Sequence, residues 1–142
     1  MKKIVYVPMV FVLLISCTKY ENGPDYSVFS KKDRLSNVWT LNEAIHLSGE
    51  SGGQFFELYP GFQFNISHDE KYTRYYRLPE NHFFTEEGTW KFSDDKEHFT
   101  TTCNGDERVD YTILRLTKHE LWIRYTDKHD EWELHLFPKP TT

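Results

Sequence analysis

Two cysteines, seven histidines and a few charged residues phased toward an apolar interior are the side chains of this chain that could do chemistry. A thiol becomes a nucleophile when a nearby base or cation lowers its pKa. Cys103 stands beside Asn104 and Gly105 in an expected turn, and no fixed histidine can be assigned to it. The histidines never form His-Glu-x-x-His, and no two occupy alternate positions of one strand from which both could reach a single ion. Where they adjoin acids, at His68-Asp69-Glu70, His119-Glu120 and His129-Asp130-Glu131, turns are expected, and solvated polar residues are the usual occupants of turns. There is no assignable Ser-His-Asp arrangement and no glycine-rich phosphate loop. The expectation is a protein without enzyme activity, bound metal or other cofactor.

Cys17 offers a different chemistry. Lys2 and Lys3 precede twelve mostly apolar residues, Ile4 to Ile15, and the run ends in Leu14-Ile15-Ser16-Cys17. Spanning a bilayer takes about 20 apolar residues, whereas a run of about 10 to 14 is the length of a secretory signal core. With a branched apolar residue three places before Cys17 and small Ser16 just ahead of it, the segment resembles the lipobox signal of bacterial lipoproteins. In that family the cysteine sulfur takes a diacylglyceryl group, the signal is cut before it, and the cysteine becomes the acylated amino terminus. The resemblance implies lipidation at Cys17. Because Thr18 and not aspartate follows, it also implies anchoring at the outer membrane, with periplasmic or surface display left open. Each buried methylene contributes about 0.8 kcal/mol, so two or three acyl chains hold a protein on a membrane essentially permanently.

Removing residues 1–16 takes away two lysines and no acid, leaving 126 residues and moving the net charge from -5 to -7. With no basic stretch longer than Lys31-Lys32, nucleic acid is excluded as a partner, since phosphate contacts need clustered cations. Residues 17–34, with Asn22-Gly23-Pro24 and mixed charges, read as acylated cysteine plus tether, and residues 35–142 as one domain. With Cys17 committed to lipid, Cys103 has no disulfide partner. Apolar burial must therefore hold the domain, and aromatic residues are plentiful, the full chain having four Trp, nine Tyr and eleven Phe.

Short alternating runs separated by turn residues make that domain all-β. A turn at Lys128-His129 pairs Tyr125 with Trp132, Ile123 with Leu134 and Leu121 with Leu136 on an apolar face. It sets Arg124 against Glu133 and Trp122 against His135 on the polar one. A second hairpin turns at Asp94-Asp95-Lys96, with Trp90 and Phe92 sharing a face with Phe99 and Thr101. Further strands are expected over 38–47, 62–67, 71–77 and 109–116, the last with a bulge because its apolar residues change phase. The connection 49–61, carrying Phe55, Phe56, Leu58 and Tyr59, is expected to cover one end of the sheet. The strands form an up-and-down antiparallel meander of about eight, which can close into a barrel and so remove its edges, or remain an open bent sheet or sandwich.

The opening tryptophan strand at 35–41, Glu87-Gly88-Thr89-Trp90-Lys91-Phe92, the strand 111–116 before Lys118-His119-Glu120-Leu121-Trp122-Ile123, and the closing 134–138 resemble the lipocalin-like domain of small lipoproteins of Bacteroidota. The resemblance covers roughly residues 34–138 and implies a barrel, with a small apolar or amphipathic ligand as a weaker implication.

Polar residues on inward phases mark the candidate site. Trp39, Leu41, Glu43, Ile45 and Leu47 share one parity, which would bring the Glu43 carboxylate inside. If Tyr72 faces inward, Arg74 and Tyr76 follow it; the other register would put Lys71, Thr73 and Tyr75 inside. A buried carboxylate costs several kcal/mol unless paired. Glu43 with Arg74 is thus the candidate anchoring pair, within an aromatic pocket of Trp39, Tyr72, Trp90 and Tyr125. The alternative is that both charges escape to water at strand ends. Three functions compete: a membrane-tethered carrier of a small molecule, a solid-barrel interaction module of the cell envelope using outward-facing Trp122, and an inhibitor presenting the acidic turn 127–131 to a cationic hydrolase. A monomer is expected in each.

Overall fold

The computed structural model describes residues 27–49 and 54–141; the leader, Cys17 and most of the tether lie outside that range. The described chain is a closed barrel of eight antiparallel strands in sequential order. They are β1 (Asn37–Ser48), β2 (Gln63–Ile66), β3 (Lys71–Arg77), β4 (Phe83–Phe92), β5 (His98–Cys103), β6 (Glu107–Leu116), β7 (Leu121–Asp127) and β8 (Asp130–Pro138). β1 pairs with both β2 and β8, which closes the sheet on itself. Closure decides between the barrel and the open alternatives.

The middle of the barrel is filled with side chains. Trp39, Phe64, Phe99, Leu121, Ile123, Leu134 and Leu136 are completely buried, and the Phe99 and Tyr111 rings stack with centroids 4.7 Å apart. An eight-stranded barrel encloses a width that side chains of this size fill.

One end is plugged. Residues 31–34, at the end of the stretch read as tether, belong to a short helix, α1 (Lys31–Leu35), whose Leu35 is fully buried. The Ser30 hydroxyl caps it by accepting from the Asp33 amide. Arg34 donates to the Leu116 carbonyl at 2.8 Å, and Lys32 pairs with Glu70 in the β2–β3 turn. Trp39 donates its indole N–H to the Leu35 carbonyl, and Trp90 donates its own to the Ser67 carbonyl, each at 2.8 Å. The opposite end is the mouth. It carries the β3–β4, β5–β6 and β7–β8 turns and a second short helix, α2 (Phe55–Leu58), whose Phe55 is buried while Phe56 and Leu58 are exposed.

The final hairpin has the expected register at every pair, from Leu121↔Leu136 to Tyr125↔Trp132. The second hairpin pairs Trp90 with Thr101 and Phe92 with Phe99, also as expected. The bulge expected in β6 falls at Leu114, and it lets both Ile113 and Leu114 be buried. β1 carries a bulge that its unbroken alternation conceals. It falls between Leu41 and Glu43, adds a residue at Asn42 and inverts the phase as far as a second shift between His46 and Ser48. Glu43 and Ile45 consequently lie exposed, Leu47 is exposed at the second shift, and Ala44 packs on the core.

Candidate functional site

The chemistry of the interior centres on Arg74. The β2–β3 turn sets Tyr72 opposite Ile66, so Tyr72, Arg74 and Tyr76 take the inward phase. β4 runs back past Gly88 to Phe83, and its inward phase therefore continues from Trp90 through Gly88 to Glu86 and Phe84. Arg74 and Glu86 are direct cross-strand neighbours, with Nη2 2.8 Å from the carboxylate. Tyr72 donates its hydroxyl to the other Glu86 oxygen at 2.7 Å, and Arg74 Nη1 donates to the Tyr111 hydroxyl at 3.3 Å. The pair is 17% and 13% exposed, so it is largely desolvated, with both Glu86 oxygens and both Arg74 Nη atoms partnered and Arg74 Nε left buried without a hydrogen-bond partner.

This polar cluster underlies a pocket of about 160 Å³ at the mouth. Phe55, Phe62 and Tyr125 are its buried lining residues, Arg74 is half-buried beneath them, Tyr76 and Phe84 add aromatic surface, and Tyr59, Asp127 and Lys128 complete it. Tyr59 donates its hydroxyl to Asp127, tying the residue after α2 to the β7–β8 hairpin. Tyr76 meets Tyr59 edge-on and stacks on Phe84. Burial pushes the phenols of Tyr59, Tyr72, Tyr111 and Tyr125 above the ordinary tyrosine range. Burial also opposes the charge on Arg74, but the neighbouring Tyr111, Glu86 and Tyr125 oxygens outweigh it, and the net shift is upward. The site therefore holds one firmly protonated guanidinium among neutral phenols.

The residues expected to form a site are divided by the structure. Arg74 and Tyr125 line the pocket, and Tyr72 supports it through Glu86. Trp39 and Trp90 sit toward the plugged end, where they fill the core and satisfy backbone carbonyls. The pairing of Glu43 with Arg74 is corrected: the β1 bulge turns Glu43 outward, where its carboxylate lies 3.0 Å from His135 Nδ1. Glu86 holds the place given to Glu43. Its signal in the sequence is the parity it shares with Trp90, which is lost when β4 is taken to begin at Gly88. Trp122 is on the outer face as expected but half-buried, stacked on His135 at 4.1 Å with the Arg115 guanidinium 5.4 Å from its ring centroid. Cys103 is buried in the barrel wall.

No protein-family model matches the chain, and no curated protein matches it.

Proposed function

We propose that this chain is a lipoprotein of the cell envelope, anchored through Cys17 at the outer membrane, whose barrel binds one small amphipathic molecule at its mouth and performs no chemistry on it. The 160 Å³ pocket above the Arg74–Glu86 pair carries this reading. An apolar cavity of about 150 Å³ accommodates benzene, whereas drug-sized ligands occupy about 300 to 1,000 Å³. The fit is to a single ring or the end of a longer molecule, held between aromatic faces with its polar group toward Arg74, Asp127 or Lys128. A cargo running through the barrel is disfavoured, because packed rings occupy its centre.

α1 meets the barrel at the plugged end, so the mouth lies at the end opposite the start of the described chain. Native mass spectrometry of the full-length protein, released gently from its membrane, tests the proposal. A reproducible small adduct is expected, and it should be absent from the Arg74→Met/Glu86→Leu double variant. Consistently bare protein, or an adduct indifferent to that substitution, would refute the mouth as the binding site.

A further inference from the structure

Above Gly88 the barrel wall is split. The ladder of β4 with β3 runs from Lys71↔Thr89 to Arg77↔Phe83, but its ladder with β5 stops at Gly88↔Cys103. At Cys103 the chain turns back through Asn104 and Gly105 into β6, which pairs with β5. Among the described residues, Phe83 to Glu87 are thus paired on one side only. Gly88 marks the departure point, since a Cβ there would lie 2.1 Å from the Thr102 carbonyl oxygen and 2.8 Å from the Tyr72 ring.

A groove of about 630 Å³ runs along this edge, between Phe84 to Glu87 on one side and Cys103, Asn104 and Glu107 on the other. Alternate N–H and C=O groups of an antiparallel strand point away from its partner, so the free side of β4 offers backbone groups for about 17 Å at roughly 3.3 Å per residue. Glu87 and Glu107 are both exposed beside the groove, and Phe83, on the outward phase, is 62% exposed.

We propose that this edge accepts an extended segment of a partner protein as an added strand, one in which apolar residues alternate with lysine or arginine. Main-chain hydrogen bonds to β4 supply affinity, and the acidic flanks select the basic residues. The apolar positions then meet Phe84 or Phe83 according to phase. A second copy of this chain is a poorer occupant, because it would bring its own exposed Glu87 to an already acidic groove.

The test uses the full-length chain in detergent micelles and a heptapeptide of alternating valine and lysine. Amides of 83–87 that point away from β3 exchange rapidly in the free protein and should slow at least tenfold with the peptide bound. Its affinity should fall at least tenfold in Glu87→Lys/Glu107→Lys, whose melting is unchanged because both side chains are exposed, and a valine–glutamate peptide should not bind the wild type. Unchanged exchange on adding the valine–lysine peptide, or equal binding after charge reversal, overturns the proposal. Protection that grows with protein concentration alone also overturns it and assigns the edge to a second copy.

Discussion

Arg74 and Glu86 face each other across the β3–β4 ladder at 2.8 Å, inside a barrel whose remaining core is almost entirely apolar and aromatic. Two charges withdrawn from water hold only as a pair, and removing one leaves the other buried without a counter-ion. Glu86→Leu or Arg74→Met alone should therefore destabilise the protein by about 3 kcal/mol. The double variant should return to within about 1 kcal/mol of the parent, because apolar replacement of a whole buried pair is close to neutral. Denaturant melts of the four proteins form a double-mutant cycle, and additive losses would show that the two side chains do not act as a unit.

Alkali should unfold the protein cooperatively. Tyr59, Tyr72, Tyr111 and Tyr125 all have phenols raised in the folded state. The folded chain thus retains protons that the unfolded chain loses near pH 10. Stability is fully present below that pH and declines as pH rises from there toward the higher folded values. Absorbance at 295 nm and circular dichroism should change together above about pH 10. Smooth ionisation of all the tyrosines near pH 10 with an intact fold would show that the buried phenols are not protected.

Glycines at two turns and at one crossing should respond differently to alanine. At Gly88 the new methyl meets the Thr102 carbonyl at 2.1 Å, and overpacking of that kind costs about 3 kcal/mol. Gly61 and Gly105 have positive φ but nothing within 4 Å of an added methyl, so Gly61→Ala and Gly105→Ala should each cost only about 1 kcal/mol of backbone strain. Thermal melts should rank Gly88→Ala as the most damaging of the three, and a tolerated alanine there would contradict the close crossing of β4 and β5.

Cys17→Ser should move the protein from the membrane to the soluble fraction without changing the fold of the domain, since α1 begins only at Lys31 and the barrel at Asn37. Mass spectrometry of the parent should find a thioether-linked diacylglyceryl group at Cys17. An unmodified cysteine in membrane-extracted material would remove the anchor.

Alternation makes the last hairpin legible because its apolar and charged faces are both complete, so one register alone satisfies Leu121, Ile123 and Tyr125 against Trp132, Leu134 and Leu136. The same alternation misleads in β1. Ile45 and Leu47 continue the parity of Trp39, yet both are exposed, Ile45 because of the bulge at Asn42 and Leu47 at the second shift between His46 and Ser48, and only long-range pairing with β8 reveals them. Arg74 and Tyr125 are legible as inward residues. Glu86 is not, because Phe83 to Glu87 carry two adjacent acids and a glycine follows, a composition that resembles a loop until pairing with β3 is seen. The aromatic connection 49–61 is legible as a cover for one end of the sheet, but the meeting of its Phe55 and Tyr59 with Asp127 and Lys128 depends on closure and on the folding of α2 over the mouth.

The most direct measurement is a crystal structure of the protein purified from its own membrane without refolding. We predict density for a ring-sized group between Phe84 and Tyr125, within hydrogen-bond reach of Arg74, Asp127 or Lys128. A mouth containing ordered water alone, or closed by inward collapse of Phe84 and Tyr76, would contradict a ligand site there.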